Sequence, residues 1–127
     1  MENEKKLAES KLFTPYKLGS TTLRNRVIRS AAFESMGKDF APTQALKDYH
    51  VSVAKGGVGM TTVAYASINR SGISFNKQLW LRDEIVPALR DLTDAVHNEG
   101  AAVGIQLGHC GNMTHWSTAG SFPVSAS

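Results

Sequence analysis

The stretch Ala101-Ala102-Val103-Gly104-Ile105-Gln106-Leu107-Gly108-His109-Cys110-Gly111 decides how this chain is read. Ala101 to Leu107 is an apolar run of strand length, and Glu99-Gly100 before it is a helix stop. A carboxamide, Gln106, sits at the carboxyl end of that run. Because a primary amide both donates and accepts, it can pair with a heterocyclic edge that carries N–H beside C=O. A strand-capping hydrogen bond inside the protein would satisfy it equally well, since an unmet buried polar group costs about 1–3 kcal/mol.

Working back from this strand, Asp83 to Asn98 reads as a helix, with Pro87 in its first turn and an apolar face of Leu89, Leu92, Ala95 and Val96. Ser67 to Arg82 is a polar, irregular loop, and Val58 to Ala66 a second strand rich in Thr and Val. Pro42-Thr43 opens an earlier helix with Thr43 as N-cap. Leu46, Tyr49, His50 and Val53 follow at helical spacing, and Gly56-Gly57 forms a left-handed C-cap. Val27 to Phe33 reads as a first buried strand, and Phe13 to Leu23 as a small hairpin around a Gly19-Ser20 turn. Gly108 to Ser127 is loop.

Strand, helix, strand, helix, strand, with near-continuous apolar strands, is the order of an α/β fold with a parallel sheet covered by helices. Residues 12–127 form one unit, preceded by a charged segment, Met1 to Lys11, expected to fray. At 127 residues the chain can build a core of its own but not a whole eight-stranded α/β barrel.

The formal charge of +3 comes from scattered basic residues, with Lys5-Lys6 the only basic doublet, which argues against a nucleic-acid partner. One cysteine, Cys110, excludes an internal disulfide and fits a reducing compartment. No apolar run reaches membrane-spanning length, so a soluble, cytoplasmic protein without a membrane partner is expected.

Ligands of parallel α/β folds gather at the carboxyl ends of the strands. Three groups lie there: Ala31-Ala32-Phe33, Ala64-Tyr65-Ala66 and Gln106 to His109. The small residues of the first would let backbone amides approach a flat ring, or simply pack a barrel interior. His109, Cys110 and His115 match no common zinc spacing, so no metal is expected. Cys110 has no identifiable base beside it and reads as a small buried hydrophobe, while His50 and His97 read as partly exposed helical histidines. Gly56-Gly57-Val58-Gly59 precedes a strand, whereas a phosphate-cradling loop follows one, so these are turn residues.

Five segments in register resemble the old yellow enzyme family of FMN-dependent NAD(P)H:flavin oxidoreductases. They are Leu12-Phe13-Thr14-Pro15, Leu23-Arg24-Asn25-Arg26-Val27, Ala54-Lys55-Gly56-Gly57-Val58-Gly59, Leu92-Thr93-Asp94-Ala95-Val96-His97 and Gln106-Leu107-Gly108-His109-Cys110-Gly111. The resemblance implies the N-terminal part of a TIM (β/α)8 barrel, with a hairpin closing its bottom and FMN at its carboxyl-end face. It implies FMN contacts from Ala31, Ala32, Phe33 and Tyr65, the last through main chain, and a pyrimidine edge gripped by Gln106. It also implies hydride transfer from NADH or NADPH through FMN to an activated alkene or similar small electrophile.

Two positions depart from the family pattern. Phe33 stands where familiar members carry Thr or Cys beside the flavin, and Asn112 replaces a common arginine. Members are also roughly three times longer, and their substrate-binding His-Asn or His-His pair, proton-donating Tyr and phosphate site lie beyond the matched stretch. No catalytic residue is therefore expected in this segment, and the chain alone is expected to be inactive. The alternative is a truncated, non-catalytic relative that acts as a binding or assembly module, because three strands leave an open edge that invites pairing with another chain. A self-contained flavodoxin-like FMN binder ranks last, for want of a phosphate loop after the first strand.

Overall fold

The computed structural model describes residue 6 and residues 9–125. The charged opening segment, residues 1–11, falls largely outside these. A 3-10 turn at Lys11–Phe13 leads into an antiparallel hairpin of β1 (Tyr16–Leu18) and β2 (Thr21–Leu23). Gly19 takes φ +60 in the turn, the left-handed region that glycine enters without a Cβ clash. Leu23 is buried and shares a recess with Leu18, Thr21, Met60 and Ala102, so the hairpin closes the amino-terminal end of the main sheet.

That sheet holds β3 (Ile28–Arg29), β4 (Met60–Ser67), β5 (Leu79–Trp80) and β6 (Ala102–Gly108), all parallel to β4. β6 pairs along one edge of β4, and β3 and β5 share the other. Helix α1 (Gln44–Lys55) follows β3 and α2 (Val86–Asn98) precedes β6. Thr43 caps α1 by accepting from Leu46 N–H at 3.2 Å, and Gly57 leaves it at φ +99. Pro87 lies in the first turn of α2, where a missing N–H costs nothing. Leu46 and Ala54 of α1 and Leu92 and Val96 of α2 meet Val63, Ala66 and Leu79 of the sheet, forming the core.

Several boundaries differ from the sequence reading. The first strand is two residues long rather than seven, and Ile28 is exposed, because Arg29 turns back to donate to Ala32 carbonyl and to Glu34 and so bends the chain. The loop from Ser67 to Arg82 contains β5 and a 3-10 turn at Arg70–Gly72, and the last segment contains the short helix α3 (Trp116–Ala119). These elements are too short to show a period. His50 is fully buried, not a partly exposed helical histidine, because Thr61 and Glu34 supply polar partners within the core. β6 is half-buried to exposed, with Gln106 and Leu107 open, because no strand covers its outer edge among the described residues.

Candidate functional site

Strands β3, β4 and β6 run parallel, so their carboxyl ends deliver their following loops to one end of the sheet. On β6, Val103 and Ile105 pack toward the helices. Strand alternation then puts Gly104, Gln106 and Gly108 on the opposite face. Gln106 is exposed there, and its carboxamide finds no hydrogen-bond partner among the described residues. A Cβ added to Gly108 would lie 3.3 Å from the Tyr65 ring, so Tyr65 closes on the same face. Phe33 meets Tyr65 with ring centroids 5.7 Å apart and stacks on Phe75 at 5.1 Å. The Tyr65 hydroxyl lies 2.7 Å from Ser74 Oγ, which donates in turn to Gln78 Oε1 at 3.0 Å.

Between Val63 and Ala66 the register of β4 against β6 slips, because three residue steps on β4 span two on β6. This is a bulge. The Ala64 N–H points to the other edge of β4, where β3 pairs only as far as Thr61 and leaves it without a strand partner. The Glu34 carboxylate takes that N–H, with both oxygens at 3.2 Å. Arg29 Nη1 donates to Glu34 Oε1 at 2.7 Å and to Thr62 carbonyl at 2.6 Å, while its Nη2 donates to Ala32 carbonyl at 3.0 Å. Nε2 of His50 stands 3.1 Å from Glu34 Oε1, near enough for an ion pair, although off the line of a good hydrogen bond. On its other side, His50 Nδ1 lies 2.8 Å from Thr61 Oγ1. Burial pushes the Glu34 carboxyl up, but the polar contacts from His50, its own backbone, Arg29 and Ala64 N–H outweigh it and hold the group below its ordinary value.

Beyond β6, His109 Nδ1 accepts from Gly111 N–H at 3.0 Å and its Nε2 lies 3.2 Å from Ser71 Oγ. Its ring lies against Gly72, where a Cβ would meet it at 2.6 Å. Cys110 is half-buried rather than buried, because the loop it occupies is covered on one side only. His115 turns to Ser117 Oγ at 2.7 Å.

Residues 11–124 match the NADH:flavin oxidoreductase / NADH oxidase family. The chain belongs to this family. It is 44% identical over 117 residues to a probable N-methylproline demethylase of Rhizobium meliloti, covering 91% of this chain and 17% of that protein. An NADPH dehydrogenase of Listeria welshimeri is 40% identical over 106 residues, covering 80% of this chain and 31% of the relative. Among solved structures, the old yellow enzyme homologue of Zymomonas mobilis superposes with a TM-score of 0.84 at 26% identity, over 93% of this chain and 33% of that one. The chain therefore spans a third or less of these relatives, and its architecture is that of the N-terminal part of an old-yellow-enzyme (β/α)8 barrel.

Seen as part of this flavin-oxidoreductase fold, the residues singled out from sequence divide cleanly. The structure brings Phe33 and Tyr65 into contact and leaves Gln106 on the same face of the sheet as Tyr65. Ala31 and Ala32 lie in the bend after β3, where Arg29 holds the Ala32 carbonyl and no strand pairing is made. Sequence reasoning missed Arg29, Glu34 and His50, and also Phe75. The available signal was two opposite charges, Arg29 and Glu34, inside a stretch otherwise apolar enough to be a buried strand.

Proposed function

We propose that this segment supplies part of the FMN site of an NAD(P)H-dependent oxidoreductase, with Gln106 gripping the pyrimidine edge of the flavin. One observation carries the reading. The carboxamide at the carboxyl end of β6 has no hydrogen-bond partner among the described residues and faces the same side as the Tyr65–Phe33 wall. A donor–acceptor pair left free on a sheet face suits a ring edge that offers N–H beside C=O. Ala31, Ala32, Phe33 and the main chain at Tyr65 border the ring in this reading.

When bound, FMN supplies the hydride chemistry, from NAD(P)H to a small electrophile such as an activated alkene. The residues of this segment orient the ring; none holds a proton for transfer, and Phe33 offers the flavin no side-chain hydrogen bond. The 127-residue chain by itself is proposed to bind FMN poorly and to reduce no alkene. Titrating it with FMN and following flavin fluorescence tests this, beside the same titration of the intact gene product. Retention by the intact product alone supports the reading. Micromolar binding with NAD(P)H-dependent bleaching by the 127-residue chain overturns it.

A second reading, an assembly module, is favoured by the uncovered edge of β6 and by an apolar groove lined by Val63, Leu89, Leu92, Val103 and Ile105. Sedimentation of the chain as a defined dimer, with no FMN retained by any form, would favour it.

A further inference from the structure

We infer that the Glu34 carboxylate is a positioning group for the flavin-facing main chain, tying the Ala31–Phe33 bend to the bulge at Ala64-Tyr65. This rests on the flavin reading given above for the same face. β3 pairs with β4 only as far as Thr61 and β5 only from Ala66, which leaves the Ala64 N–H between them without a ladder partner, and a buried, orphaned N–H would let this part of β4 breathe. Glu34 satisfies it from a loop, not from a neighbouring strand. The side chain is only 5% exposed, so the carboxylate needs compensation, and it has it on two sides.

Arg29 comes from β3 and His50 from α1; these are the charged or titratable groups that face Glu34. β4 contributes only the Ala64 N–H, together with Thr61 behind His50. Arg29 carries the tie further, because the same guanidinium holds Thr62 carbonyl and Ala32 carbonyl. One carboxylate thereby fixes the two stretches of backbone that border the flavin in the proposed site. The geometry is that of a positioning group and not a catalytic one, since Glu34 faces the helix side of the bulge through His50 rather than the open face.

The test compares the intact gene product with its Glu34→Gln and Gln106→Leu variants. Amide hydrogen exchange of the FMN-free proteins is read over residues 62–66, and FMN dissociation constants are read from fluorescence. Glu34→Gln is expected to speed exchange at Ala64 and Tyr65 and to weaken FMN, each by about tenfold or more, the scale of one lost charged hydrogen-bond contact. Glu34→Asp, which keeps the charge on a shorter stem, should restore part of both. Gln106→Leu should weaken FMN and leave exchange unchanged.

Unchanged exchange at Ala64 in Glu34→Gln overturns the inference, and so does faster exchange with undiminished FMN affinity. A wild-type protein that binds no FMN at all overturns the flavin reading instead, and the exchange result then judges the Glu34 tie on its own. Should Glu34→Gln not fold, the wild type carries the test through pH. Acidification through the Glu34 titration is expected to release Ala64 and Tyr65 before the amides of β6, and simultaneous loss of all of them overturns the local role.

Discussion

Replacing Arg24 with Met should weaken the fold substantially. The Arg24 guanidinium donates from Nε to Val58 carbonyl at 2.9 Å, from Nη1 to Glu99 carbonyl at 2.8 Å and from Nη2 to Ala54 carbonyl at 2.5 Å. Ala54 lies in the last turn of α1 and Glu99 caps α2, so a single cation serves the carboxyl ends of both helices. Bonds to a charged donor contribute about 1.5–3 kcal/mol each, which makes the simple sum an upper bound. Arg24 is half-buried and water reaches the exposed Gly56-Gly57 turn, so the freed carbonyls recover part of it. We expect a net loss of about 3 kcal/mol for Arg24→Met, which keeps the apolar stem. With a urea dependence of about 1.5 kcal/mol/M, the unfolding midpoint followed by circular dichroism should fall by about 2 M. Arg24→Lys should recover less than half, because one ammonium cannot reach three carbonyls arranged around a planar fork. A loss below about 0.5 kcal/mol, or full recovery by lysine, would refute this assignment.

Three further outcomes are expected. Gly72→Ala should cost about 1–3 kcal/mol by overpacking, since its Cβ would lie 2.6 Å from the His109 ring and 2.7 Å from Ser67 Oγ; a thermal midpoint equal to that of the wild type would contradict the close approach. Leu92→Ala, at a side chain 1% exposed between α2 and the sheet, should cost about 2–5 kcal/mol in the same melt, and a loss under 1 kcal/mol would show that site to be loosely packed. Because Glu34 titrates below its ordinary value in the folded protein, its contribution is present above the unfolded-state carboxyl range and disappears as pH falls through the lowered value. Stability should therefore decline less steeply on acidification in Glu34→Gln than in the wild type, and parallel pH curves would contradict this.

The elements that could be read from sequence are those specified locally. Thr43 caps α1, Pro87 sits in the first turn of α2 and Gly19 turns the hairpin, each with the chemistry its position demands. β3 was legible as a strand but not in its length, because its end is set by Arg29 reaching Glu34 and Thr62, contacts 5 and 33 residues away. β5 was invisible since two residues carry no period, and it forms only because β4 offers a free edge at Ala66 and Ser67. Gln106 was read as buried or ligand-bound from its apolar neighbours; the structure leaves it open, because strand burial depends on what lies beyond β6. Glu34 illustrates the opposite case. An acid between Phe33 and Ser35 gives no hint of a partner on α1 or of a bulge 30 residues on.

A crystal structure of the intact gene product grown with FMN would show whether the Gln106 carboxamide faces the pyrimidine edge of the flavin. Flavin density is expected at the carboxyl ends of β3, β4 and β6, with both ends of the Gln106 amide within hydrogen-bond distance of the ring. A flavin bound elsewhere, or seated at this face with the amide turned from it, would contradict that role for Gln106.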